Sequence, residues 1–142
     1  NGVHYYFLSM QEFEDKIAQN AFLEHAQYVG NRYGTLEAPV NEQLEAGNDV
    51  VLEIEVQGAM QIQKKRPDAV MVFVAPPSME ELERRLRGRG TETEDKIRSR
   101  METAEHEMTY VPQFDYVIVN DDLDLAVRDL LAIFAAERCR NQ

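Results

Sequence analysis

Two acids sit where acids are costly. Glu24 lies inside the β-forming run Phe22-Leu23-Glu24-His25-Ala26-Gln27-Tyr28-Val29, and Glu53 closes the apolar run Val50-Val51-Leu52. A carboxylate taken out of water needs a partner, and in open α/β sheets ligands bind beyond the carboxyl ends of the strands. Two carboxylates on different strands suit a ligand edge with adjacent N–H donors, such as N1–H and N2–H₂ of a guanine. A site built for those bonds penalises adenine, which leaves them unmade. The alternative is plainer: both are solvent-facing acids on exposed strand positions.

Three further groups could act on a ligand. The phenols Tyr5 and Tyr33 donate hydrogen bonds to phosphate oxygens without adding charge, while Gly34 permits close backbone approach and Thr35 adds a hydroxyl. The alternative, aromatic packing on a small sheet, suits Tyr6, Phe7 and Tyr28 better than Tyr33. Next comes Arg84-Arg85-Leu86-Arg87-Gly88-Arg89-Gly90-Thr91, followed by Arg98 and Arg100. Guanidinium groups beside a flexible Gly-X-Gly suit a lid that closes on phosphates and neutralises charge developing in phosphoryl transfer. A solvated face paired with Glu80, Glu81, Glu83 and Glu94 is the competing account. Last, Asn120 ends an apolar strand where it could reach a nucleobase, and Asp121 or Asp122 after it reads as a helix N-cap.

The elements that must position these groups follow from periodicity. Residues 3–8 read as an aromatic strand, and Ser9 with Glu12 as a capping box opening a helix to about Asn20. Residues 22–29 read as a strand, 30–35 as a tight polar turn, and 37–46 as a helix stopped by Gly47. From residue 49 the rhythm becomes strand, helix, strand, helix. Strands are expected at 49–54, 69–74 and 116–119, apolar enough to be buried on both faces. Helices are expected at 57–65, after Ser78 and after Thr93. A final helix carries Leu123, Val127, Leu130 and Phe134 on one buried stripe. This alternation predicts an α/β fold with a parallel sheet and helices on both faces, preceded by a small mixed α+β subdomain. The expected division is 1–48 and 49–142, with the lid around 85–100.

Composition narrows the function classes. The 142 residues suffice for a real core, and 44% hydrophobic with 29% charged residues is ordinary for a globular protein. A net charge of −11 argues against nucleic acid as the main partner. The single Cys139 allows no internal disulfide and suits a reducing cytoplasm, and no apolar run has transmembrane length. The sequence opens at Asn1 directly ahead of an expected strand, without a leader.

In order along the chain, Glu24-His25-Ala26-Gln27-Tyr28-Val29-Gly30-Asn31-Arg32-Tyr33-Gly34-Thr35, Leu52-Glu53-Ile54-Glu55-Val56-Gln57-Gly58, Ala75-Pro76-Pro77-Ser78, Arg85-Leu86-Arg87-Gly88-Arg89-Gly90-Thr91-Glu92 and Val117-Ile118-Val119-Asn120-Asp121-Asp122 closely resemble guanylate kinase. The resemblance implies a P-loop nucleoside monophosphate kinase-like fold and the reaction ATP + GMP ⇌ ADP + GDP, with dGMP as a further acceptor and Mg²⁺ accompanying ATP. It implies that Glu24 and Glu53 hold the guanine, that Tyr5, Tyr33 and Thr35 surround GMP with both phenols on its phosphate, and that Arg85, Arg89 and Arg100 meet the phosphates during transfer. Arg89 then also touches ATP, and Asn120 lies near its adenine. Where the family often has a second Tyr, this chain has Arg32, expected to be a tolerated variation. A phosphopeptide-binding domain of the same fold is the alternative, and retention of Tyr5, Glu24, Tyr33, Glu53 and the lid arginines speaks against it.

One departure is large. The family opens with a strand and a G-x-x-x-x-G-K-[ST] loop that cradles ATP phosphates, and no such motif occurs in these 142 residues. The resemblance therefore implies the C-terminal two-thirds of the enzyme, with the phosphate-loop strand absent from between the strands at 49–54 and 69–74. Two expectations follow: a longer parent protein, or a second chain (a homo-oligomer among the options) covering the open edges. These residues alone are expected to form no GDP.

Overall fold

The computed structural model describes residues 8–28 and 31–141, in two compact units, Asn1–Ala69 and Val70–Gln142. The expected strand at 3–8 lies almost wholly outside the described residues, and Tyr5 with it. The rhythm of the sequence groups residues 49–69 with the second half. In the structure they belong to the first unit, because their helix packs on its hairpin.

In the first unit, α1 (Met10–Ala18) begins at a complete capping box: Glu12 N–H donates to Ser9 Oγ at 3.1 Å, and Ser9 N–H to Glu12 Oε1 at 3.0 Å. The chain leaves α1 through Asn20 at φ 57°, a left-handed conformation that Asn tolerates. Strands β1 (Phe22–Tyr28) and β2 (Asn31–Leu36) then form an antiparallel hairpin. This corrects the polar turn expected at 30–35. Cross-strand pairing, invisible to local composition, makes Tyr33, Gly34 and Thr35 strand residues opposite Ala26, His25 and Glu24. Gly34 is required there by space: a Cβ would stand 2.8 Å from the Phe22 ring.

Helix α2 (Glu37–Glu45) ends at Gly47, whose φ of 87° favours glycine. Residues 49–55 run without strand pairing, correcting the strand expected at 49–54; among the described residues they have no ladder partner. A strand exists by pairing, so apolar β-formers alone do not make one. Helix α3 (Val56–Lys65) packs on β1. Phe13, Phe22, Leu23, Ala59 and Ile62 form the core, with the Phe13 and Phe22 rings 4.6 Å apart.

In the second unit, β3 (Val72–Ala75) and β4 (Tyr116–Val119) pair in parallel. Between them come α4 (Met79–Gly88), α5 (Glu94–Met108) and a 3₁₀ turn at Val111–Gln113; α6 (Leu123–Arg138) follows. Ser78, Thr93 and Asp122 cap α4, α5 and α6 through their side chains, receiving Glu81, Lys96 and Leu125 N–H groups. Met71, Phe73, Ala75, Leu86, Ile97 and Ile118 form this core.

Two expectations of burial fail here. Both strands bury one face only: Phe73, Ala75 and Ile118 are inside, whereas Val74, Val117 and Val119 are 47–59% exposed. On α6, Leu123 and Val127 of the expected stripe are exposed, and the helix has no fully buried residue. The reason is size. A helix of 16 residues is about 24 Å long at 1.5 Å per residue, and strands of four residues span about 13 Å. Its C-terminal end is tied to β4 instead, where Tyr116 Oη donates to Glu137 Oε2 at 2.6 Å.

Candidate functional site

The first unit carries one buried acid. Glu24 is 8% exposed, the single buried charged residue among those described. It is buried because β1 is irregular at its start: the register with β2 shifts between Phe22 and Glu24, so Phe22, Leu23 and Glu24 are buried in succession. A bulge of this kind re-aims a side chain that strict alternation would send outward. Thr35, directly opposite, donates its hydroxyl to Glu24 Oε1 at 2.7 Å. No cation pairs with Glu24 among the described residues. A desolvated carboxylate with one neutral donor retains acceptor capacity that a ligand with N–H donors would fill.

The other carboxylate oxygen faces α3. A Cβ added at Gly58 would lie 2.9 Å from Glu24 Oε2 and 3.3 Å from its Cδ. Gly58 is thus a packing requirement of the acid, missed in the sequence, where a glycine in the first turn of a helix was the available signal. Gly58→Ala should gain about 1 kcal/mol of helix propensity, roughly offsetting the displaced carboxylate in thermal unfolding. A loss of more than about 2 kcal/mol, measured by calorimetric unfolding, would show that the carboxylate cannot move aside for the added methyl group.

Thr35 and Tyr33 alternate on one face of β2, with Tyr33 54% exposed and open to a ligand. Glu53 is exposed in the unpaired segment that leads into α3, five residues before Gly58. The structure therefore brings Glu24 and Thr35 into contact, and leaves Tyr33 and Glu53 outside that hydrogen bond and open to solvent. Arg32 serves the packing of the unit. It pairs with Glu14 of α1 and lies 5.8 Å over the Phe13 ring, on the other face of the hairpin.

The second unit sorts the arginines. Arg84 is bound to Glu81 of its own helix, and Arg87 to Glu94 at 2.7 Å and to Glu83 at 3.6 Å. These two follow the solvated-face account. Arg85 is different: its Nε donates to Glu81 Oε1 at 3.0 Å and its Nη1 to the Asn120 carbonyl at 3.0 Å, with Asp121 at 3.6 Å. It joins α4 to the carboxyl end of β4, where the Asn120 N–H is itself bonded to the Ala75 carbonyl. Arg100 meets Glu92 at 3.4 Å. Among the described residues, Arg89 alone of the arginines from 84 to 100 has no acidic partner. It stands exposed at the C-cap of α4, before Gly90 at φ 66°.

Hydrogen bonding from Arg84, then from Arg85, holds the Glu81 carboxyl down from the usual 4.5 to about 2. A depressed acid pKa contributes stability that is complete above the unfolded value and lost as pH falls through the folded one. The contribution of Glu81 should therefore fade between about pH 4.5 and pH 2. Its side-chain carboxyl resonance should titrate near the lower limit, and a midpoint near 4.5 would show that the Arg84–Glu81–Arg85 cluster does not persist in solution. Glu94, lowered by Arg87, shares the direction.

A family model described as guanylate kinase matches residues 1–137. Proteins named guanylate kinase from Desulfitobacterium hafniense and Thermus thermophilus are 50% and 51% identical over 140 and 141 residues, in each case 99% of this chain. The chain spans 70% and 64% of their respective lengths. The crystal structure of guanylate kinase from Anaplasma phagocytophilum superposes with a TM-score of 0.77 at 30% identity, covering 99% of this chain and 69% of that one.

Proposed function

The chain belongs to the guanylate kinase family, and from that membership we propose that the protein containing it transfers the γ-phosphoryl group of ATP to GMP or dGMP, giving ADP and the nucleoside diphosphate. The observation that carries the acceptor assignment is Glu24: among the described residues, a buried carboxylate with one hydroxyl donor and no cation. Its free acceptor capacity suits the N1–H and N2–H₂ edge of guanine, with Glu53 as the second acid and Thr35 orienting the first. Tyr33, and Tyr5 beyond the described residues, donate to the GMP phosphate.

Phosphoryl transfer needs little covalent chemistry from the protein; positioning and charge neutralisation supply the rate. Arg85, Arg89 and Arg100 take the neutralising role. Arg85 is preorganised by Glu81 and the Asn120 carbonyl, whereas Arg89 is free to move onto phosphate. Asn120 borders the adenine of ATP. Mg²⁺ enters as the MgATP complex, since this ion keeps its waters and binds largely through substrate phosphates. Among the described residues no helix is long and apolar enough to cross a membrane, and we place the enzyme in the cytoplasm. The test is a coupled assay on the full-length protein with MgATP and each nucleoside monophosphate. GDP formation from GMP, with AMP a poor acceptor, is expected; equal turnover of AMP would overturn the assignment.

A further inference from the structure

Among the described residues strand β1 has β2 on one side only, so the backbone groups on its other edge need partners from elsewhere. At His25 both are taken by one side chain. The His25 N–H donates to Gln61 Oε1 at 3.0 Å, and Gln61 Nε2 donates to the His25 carbonyl at 3.0 Å. A primary amide carries a donor and an acceptor at the spacing of a peptide group, so Gln61 serves β1 as a one-residue neighbouring strand. The position is telling. His25 follows Glu24 directly, and Glu24 follows the register shift that turns it inward. Gln61 also stands three residues after Gly58, on the same side of α3, and Gly58 is the surface against which the Glu24 carboxylate rests. One helix thus holds the main chain beside the acid and shapes the space for the acid itself.

We propose that Gln61 is a positioning residue for guanine recognition: its amide locks the edge of β1 at His25 so that Glu24, next to the bulge, keeps the orientation that reads the base. Gln61 touches no substrate in this account and acts through Glu24. A bulge leaves the local ladder irregular and the strand free to twist. Without the amide, the bulged strand can relax outward and take the carboxylate with it, even though Thr35 remains bonded. Gln61 is also chemically specific in this role, because a residue with only acceptors, or with neither group, cannot satisfy both backbone atoms.

This inference rests on the reading of the protein as a GMP kinase, and the experiment separates the two. In the full-length protein, Gln61→Leu should raise the KM for GMP about tenfold and leave kcat and the KM for ATP within about twofold. Gln61→Glu, which accepts from the His25 N–H but sets a carboxylate against the His25 carbonyl, should shift the GMP KM in the same direction, and supplies the answer should the leucine variant not fold. The decisive readout is a double-mutant cycle with Glu24→Gln. Acting through Glu24, Gln61→Leu should add less than about twofold to the loss already caused by Glu24→Gln. A general structural role predicts multiplying losses, with kcat and both KM values damaged together, and that result overturns the proposal. An unchanged GMP KM in both Gln61 variants overturns it equally, while wild-type kinase activity leaves the function standing. A wild-type protein that phosphorylates no GMP removes both.

Discussion

Glu24→Gln should weaken GMP binding about 100-fold, close to 3 kcal/mol, in the full-length protein. The substitution preserves size and an oxygen for the Thr35 hydroxyl, now 2.7 Å from Oε1, so the fold is little disturbed. What changes is the other half of the head group. The oxygen beside Gly58 becomes an NH₂, or the amide flips and faces Thr35 with it. In the first arrangement a donor meets the guanine donors; in the second the Thr35 hydroxyl turns to accept from the amide, and a single neutral oxygen replaces the carboxylate on the guanine side. Removing one partner of a charge-assisted bond in a desolvated site costs more than the bond itself, because the remaining groups stay buried and unpaired. AMP binding, which gains nothing from an acceptor pair, should change by less than about threefold. Calorimetric titration of both nucleotides decides the matter, and equal losses for GMP and AMP would remove Glu24 from base reading.

Arg89→Ala should lower kcat at least tenfold, leaving GMP affinity within about twofold. The control is internal to the cluster. Arg87 is two residues away on the same helix, but its guanidinium is held in two bonds to Glu94, at 2.7 and 2.8 Å. Its charge is already matched, and Arg87→Ala should change kcat by no more than about twofold. Among the described residues Arg89 has no acid to leave, and a glycine at φ 66° stands beside it, so closing onto phosphate breaks no ion pair with them. Arg89→Lys should recover part of the rate, since a point charge neutralises but does not reproduce the planar fork. Stopped-flow or coupled measurement of the three variants at saturating MgATP and GMP tests this. Equal effects at 87 and 89 would mean that the whole stretch is a solvated face.

The structure adds selectivity to both motifs. In the sequence, Arg84, Arg85, Arg87, Arg89, Arg98 and Arg100 are equivalent basic residues. Their division into paired, tethered and free depends on which acids lie within reach, and Asn120 and Asp121 reach Arg85 across 35 and 36 positions of chain. Glu24 shows the same dependence. Its place in a β-forming run is local information, but its burial comes from the register shift against β2, the Thr35 hydroxyl and the absent Cβ at Gly58.

By itself the sequence determined everything governed by neighbours within about a turn of chain. The caps at Ser9, Ser78 and Thr93, the stop at Gly47 and the helices between them are of this kind, because a side-chain oxygen three residues from an N–H or a missing Cβ acts wherever the segment lies; the last cap stayed open between Asp121 and Asp122, and Asp122 is the one used. The spacing of its motifs also carried the family. Tertiary structure alone decided what pairs with what. Residues 31–36 became a strand because residues 22–28 lie beside them, and residues 49–54, despite Val50, Val51, Leu52 and Ile54, have no strand partner among the described residues. Leu123 stayed exposed because four-residue strands cannot cover a 16-residue helix, and Val74 and Val117 because no layer among the described residues lies over that face of each strand. Hydrogen-bond ladders and apolar contacts join residues far apart in the chain, so their free energy is written in no single window of it.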